Sequence, residues 1–175
     1  MITEVTYNSV EYVCLNMRAE DKREILALRE SDNLLALACD AHAGIVNKGR
    51  GRVAWWKGKP AAVAALTEEW PGVWYAWMFG TDDFRPAAVP LLRWIKHELN
   101  DILSLTNAHR LHCDSIIDHV EAHKMIKAMG GLPEFTMRKY GKGGEDFIRF
   151  VWFNGENDKV RYSGYVRPAD TENAA

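Results

Sequence analysis

The sequence predicts an α+β domain: a mixed, mostly antiparallel sheet with helices on both faces and one strand-helix-strand crossover at its centre. Three observations carry this. Val73 to Phe79 (VWYAWMF) is a continuous apolar run of strand length, set off by Pro71-Gly72 before it and Gly80 after it. Pro86 to Leu103 repeats apolar residues at helical spacing, at Val89, Leu92, Ile95, Leu99, Ile102 and Leu103. The short run Arg110 to Cys113 (RLHC) follows as a strand, so the helix joins two strands that must lie parallel.

The remaining elements fall around that unit. Val10 to Met17 (VEYVCLNM) alternates and is rich in strand formers, which predicts a first strand, and Arg18-Ala-Glu-Asp-Lys gives a polar entry into a helix. Ser31-Asp-Asn caps LLALACDAHAG, a second helix that Gly44 is expected to stop. Arg52 to Trp56 and Ala61 to Leu66 form a hairpin around Lys57-Gly58-Lys59-Pro60, and Val73 to Phe79 joins them as the central strand. Pro90 is placed in the first turn of the long helix, where its missing N–H is tolerated. Asp118 is read as the cap of a helix running to Met129 and ended by Gly130-Gly131. Phe135 to Tyr140 and Phe147 to Phe153 close the sheet as an antiparallel hairpin, with the Gly141 to Asp146 loop as a turn rather than a phosphate cradle. Residues 1–153 make a single domain, and 154–175 a polar C-terminal tail.

At 175 residues, one core can bury roughly 70% of the unfolded surface. Hydrophobic residues at 47% and charged residues at 26% match a soluble globular chain, and a formal charge of -2 gives no reason to expect nucleic acid or a membrane surface as partner. No segment approaches the ~20 apolar residues of a membrane span. Three scattered cysteines, Cys14, Cys39 and Cys113, argue against a disulfide framework and for the cytoplasm; each is expected to be a buried apolar thiol. Of seven tryptophans, Trp55, Trp56, Trp74 and Trp77 fall in predicted strands as core or interface anchors. His119 and His123 share a helix face at i, i+4, half of a metal-ligand arrangement, but no spacing supplies the other ligands and no metal is expected.

The element order, with the block from His119 to Phe135 (HVEAHKMIKAMGGLPEF), resembles the GNAT superfamily of N-acetyltransferases, with Ala122, Gly130 and Glu134 at matching places of its last helix and following strand. A narrower resemblance, to short GNAT-like proteins encoded by podophages in their virion gene cluster, lies in Trp77-Met-Phe-Gly-Thr-Asp82, the helix Leu91-Leu-Arg-Trp-Ile-Lys-His-Glu-Leu and the His119 block. For the latter it implies a bacteriophage setting, a role in virion assembly and the host cytoplasm as location.

The superfamily resemblance implies the GNAT fold and an acetyl-CoA-dependent acyl transfer to an amine. It places the cofactor against Phe79, Gly80, Arg85, Ala87 and Ala88. There the family carries a basic residue and glycines whose backbone N–H groups meet the pyrophosphate at a helix N-terminus. This chain departs at every motif position, with Asp83, Phe84 and Pro86 prominent among the replacements, and Ile126 stands where the family often has a Tyr acid; Tyr140 or Tyr75 are the substitutes in reach. His119, Glu69 or a water is left to take the amine proton, and a backbone N–H next to Phe79 to polarise the carbonyl. The partners this admits are an amine substrate, a protein, or a second copy of the chain. The alternative implied by the departures is a non-catalytic GNAT-fold protein serving virion assembly or binding a host or phage protein.

Overall fold

The structure is a computed structural model and describes residues 1–154. In chain order its elements are β1 (Ile2–Thr3), α1 (Tyr7–Leu15), α2 (Ala19–Ala27), α3 (Leu34–Lys48), β2 (Gly49–Trp56), β3 (Lys59–Trp70) and β4 (Val73–Gly80). There follow α4 (Phe84–Leu105), β5 (Arg110–Ile116), α5 (Val120–Ala128), β6 (Leu132–Met137) and β7 (Phe147–Phe153). All seven strands form one sheet in the order β1-β2-β3-β4-β5-β7-β6, antiparallel throughout except for the β4–β5 pair. The α+β class, the central place of Val73 to Phe79 and the parallel crossover are as the sequence predicts. Of the tail read from 154 onward, residues 155–175 lie outside the described residues.

The segment Val10 to Met17 is a correction, because it lies in and just after a helix. Val10, Val13, Cys14 and Met17 recur at i, i+3, i+4 and i+7 and all four are buried, so the helical period was present beneath the apparent alternation. A capping box fixes the start of α1: Ser9 N donates to Thr6 Oγ1 at 3.3 Å and Thr6 N to Ser9 Oγ at 3.1 Å. Gly44 does not stop α3, which runs four residues further to Lys48 and is capped at its start by Asn33. The β2–β3 turn is two residues, Lys57 and Gly58, both at positive φ, and Pro60 sits inside β3 opposite Trp55 beside a register shift, where its missing N–H is tolerated. Since α4 begins at Phe84, Pro86 is its first-turn proline, while Pro90 lies inside the helix on its solvent side. His119, not Asp118, stands at the N-cap of α5; Asp118 pairs with Arg23. The strand read as Phe135 to Tyr140 is β6, earlier by three residues at each end.

The sheet is filled on both sides by alternation along its strands. Val53, Val63, Ala65 and Phe79 face α1 and α3, meeting Val10, Val13, Leu37 and Ala38. On the other face Ala54, Ala62, Ala64 and Leu66 receive Leu91, Ile95, Leu99 and Ile102 of α4, and Ile148, Phe150 and Trp152 of β7 receive Ile126 of α5. Alanines on both faces of β3 keep that strand thin between α4 and the α1–α3 layer. Because the first turn of α1 is held by Thr6, Thr6→Ala should lower the unfolding free energy by about 1 kcal/mol with no change in fold, read from urea denaturation followed by circular dichroism.

Candidate active site

The parallel β4–β5 pair is short. Val73, Trp74 and Tyr75 register with Arg110, Leu111 and His112, and beyond that the strands part. β5 stays with β7 to its end at Ile116, while β4 stays with β3 through Gly80. The gap is an apolar cleft of about 80 Å³, whose wall on the α4–α5 side is Met78, Ile95, Leu99, Ala122, Met125 and Ile126. It reaches the opposite face of the sheet, where Ile25, Tyr75 and Trp77 line it. Those three residues also line a second cavity of about 300 Å³ between α2, α3 and β4. Antiparallel pairing with β3 uses alternate residues of β4, so the N–H and C=O of Met78 and Gly80 point into the gap. Met78 finds no backbone partner there among the described residues.

α2 closes one end of the gap and binds both strands. Gly80 N donates to Asp21 Oδ2 at 2.7 Å, and Arg18 N donates to Gly80 O at 2.9 Å. One turn on, Glu24 Oε2 accepts from Ile116 N at 2.9 Å and Ser115 Oγ at 2.9 Å, and lies 3.0 Å from His119 Nδ1. Asp21 is buried, which raises its carboxyl above the usual range against the pull of the Arg18 guanidinium 2.7 Å away. His119 is raised above 6.5, chiefly by its hydrogen bond to Glu24. That bond sets the proton on Nδ1 and leaves Nε2 as the nitrogen for a cleft ligand.

His119 therefore lines the cleft as the sequence places it; Glu69 does not. Glu69 sits at the end of β3 with its carboxylate 3.4 Å from His112 Nε2, on the face that also carries the Asp114–Arg149 pair (2.7 and 2.8 Å). His112 is buried with Nδ1 unpartnered among the described residues, and burial first, then the Arg149 charge, lowers it to about 4. Phe79 is buried and stacked on Trp77, with ring centroids 5.4 Å apart. Gly80 sits on the gap, but its N–H is taken by Asp21. Arg85 is exposed at the start of α4, Ala87 is buried in the core and Ala88 is half-buried against it, so the two alanines offer a ligand backbone at most. Ile126 does line the cleft at the family's Tyr position, Tyr75 reaches the cleft, and Tyr140 instead packs edge-on against Phe147. Among the described residues no group of three or more His, Cys, Asp or Glu is placed to hold a metal; His123 bonds Ile116 O at 3.0 Å. No helix among them is long and apolar enough to cross a membrane. Cys14 and Cys113 are buried, and Cys39 is exposed.

Arg18 at the N-cap of α2, with Asp21 and Glu24 inside it, is the part of the site that sequence reading missed. Their polar, helix-opening character conceals that two of these side chains turn inward to strands 59 and 92 residues away.

No protein-family model matches the chain, and no curated protein matches it in sequence. Solved structures do match. A ribosomal-protein-alanine N-acetyltransferase from Brucella melitensis superposes with a TM-score of 0.69 at 11% identity, over 87% of this chain and 99% of that one. A ribosomal L7/L12 alpha-N-protein acetyltransferase in complex with coenzyme A gives 0.65 at 10% identity, over 87% and 92%. A spermidine N-acetyltransferase mutant from Vibrio cholerae gives 0.62 at 11%, over 88% and 95%. The chain has the GNAT fold.

Because His112 is neutral in the fold down to about pH 4 whereas an unfolded histidine protonates near 6.5, the unfolded state binds the extra proton between these values. Stability is then full above pH 6.5 and falls as the pH drops towards 4, by up to about 3 kcal/mol from this one group. In His112→Phe that slope should be missing when urea midpoints are compared from pH 4 to 7.5.

Proposed function

We propose that the chain is an acetyl-CoA-dependent N-acetyltransferase, with the acyl donor on the α4–α5 side of the β4–β5 gap and an amine entering from the α2–α3 side. The observation that carries this reading is the cleft passing through the sheet, with Ile25, Tyr75 and Trp77 shared between it and the second cavity. Met78, Leu99, Ala122 and Ile126 would hold the pantetheine arm by apolar contact, and the thioester supplied there is an acyl group open to a nucleophile. Of the two N–H groups flanking Phe79, Gly80's is engaged by Asp21, which leaves Met78 N–H to polarise the carbonyl. His119 Nε2 accepts the amine proton once the ring is neutral, and Glu24 orients the ring. An exposed free Cys39 suits a reducing compartment, and we place the protein in the cytoplasm, that of the host if the chain is phage-encoded.

A second reading has its own observation at the phosphate end. Phe84 is buried against Gly80, Asp82 and Asp83 are exposed beside it, and Thr81 takes the N–H groups of Asp83 and Phe84. This favours a GNAT-fold protein that no longer transfers acyl groups and binds a protein partner, in virion assembly if the chain is phage-encoded.

Calorimetry with acetyl-CoA separates the two. The transfer reading expects binding that weakens at least tenfold in Ala122→Trp, which blocks the channel, and only a few-fold in Arg85→Glu. No heat at millimolar ligand overturns it in favour of the partner-binding reading. With transfer established, kcat/KM should rise with pH through a value above 6.5, because His119 must first lose the Nε2 proton of the imidazolium form that Glu24 stabilises, and His119→Gln should flatten that rise.

A further inference from the structure

We infer that the 300 Å³ cavity takes an acceptor whose amine is joined to an aromatic or large aliphatic group and flanked by a carbonyl, and that Gly44 keeps the room for it. The inference rests on the acetyl-transfer reading above. Three features of the cavity carry it.

The first is its wall. Tyr75, Trp77 and Phe79 are alternate residues of β4 and so present three aromatic rings on one face, opposite Leu28 and Leu37. Such a surface favours an apolar or aromatic body. The second is its charge. Arg29 and Asp40 are the charged residues lining it, and Arg29 Nη2 lies 2.5 Å from Asp40 Oδ2. The carboxylate is thus already neutralised, and the lining carries no free carboxylate for a polycation. Arg29 lines the cavity, and its guanidinium has N–H groups beyond the one on Asp40, so it is the charged donor there for a ligand oxygen. A carbonyl next to the reacting amine is the group that fits.

The third is Gly44. Glycine inside a helix weakens it relative to alanine, so its presence in the middle of α3 calls for a reason. Its backbone is not at positive φ, and an added Cβ would meet only Thr67 Cγ2, at 3.8 Å. Neither backbone conformation nor crowding demands glycine. What a side chain there would take is space in the cavity that Gly44 lines.

The test titrates phenylalaninamide, phenethylamine, glycinamide and spermidine into the full chain, with acetyl-CoA titrated in parallel. Phenylalaninamide is expected to bind at least tenfold more tightly than each of the others. Gly44→Leu should weaken it at least tenfold, with Gly44→Ala intermediate, while acetyl-CoA affinity and the thermal midpoint hold. Arg29→Met should abolish the advantage over phenethylamine, which lacks the carbonyl. Equal or tighter binding of glycinamide or spermidine, or phenylalaninamide binding unaffected by Gly44→Leu, overturns the inference. Phenylalaninamide binding without any acetyl-CoA binding would instead overturn the transfer reading and leave the cavity's preference supported.

Discussion

Everything distinctive in this structure depends on holding two neighbouring strands apart. Parallel strands joined by a helix normally zip together, because each unpaired N–H and C=O inside a protein is costly. Here the zipper stops after three register positions, and α2 supplies what the strands deny each other. Asp21 and Glu24, one turn apart on the same helix face, accept from Gly80 N on β4 and Ile116 N on β5. A carboxylate accepting from a backbone N–H makes a charge-assisted bond, stronger than the amide pair it replaces. The helix is a spacer that satisfies both edges without bringing them together.

That spacing turns β4 into a strand read from both sides. Its even residues Ala76 and Met78 face the α4–α5 layer, and its odd residues Tyr75, Trp77 and Phe79 face α1 to α3. In a closed sheet the two sets would belong to separate cores. With β5 drawn away they become the opposing walls of one passage, and the Met78 N–H lies between them with no backbone partner among the described residues. His119 joins this passage through the same device, since the carboxylate that anchors β5 also sets the ring's proton on Nδ1.

How much of this was legible from sequence follows the range of the interactions. Val73 to Phe79 and the Pro86 to Leu103 helix were readable because burial on both sides of a strand, or on one stripe of a helix, writes itself as a local pattern. Val10 to Met17 misled because β-branched and aromatic residues on a helix satisfy strand statistics; the Thr6 and Ser9 capping pair and the i, i+3, i+4, i+7 spacing of Val10, Val13, Cys14 and Met17 tell the two apart. His119's place on the cleft was legible because it begins the one block that resembles a family pattern. Glu69 looked equivalent, yet it sits at the register shift between Glu68 and Trp70 at the end of β3 and meets His112 instead. Asp21 and Glu24 were illegible because the strand N–H groups they accept from leave no trace in side-chain identity, and Glu24's side-chain partners Ser115 and His119 lie 91 and 95 residues away.

The turn into α4 shows the other side of the same constraint. Arg18, fixed by Asp21 and by its bond to Gly80 O, lays its guanidinium 5.0 Å above the Phe84 ring. Phe84 in turn presses on Gly80, where an added Cβ would lie 3.0 Å from Phe84 Cβ and from Ala61 O. The turn into α4 is therefore closed and internally bonded, with the N–H groups of Asp83 and Phe84 spent on Thr81 and Pro86 offering none. A glycine-rich turn leaves those donors bare for an anion. Thr81 thus consumes two donors that would grip a pyrophosphate, and under the transfer reading a coenzyme would draw its affinity from the apolar channel, with exposed Arg85 as a cation beside this turn.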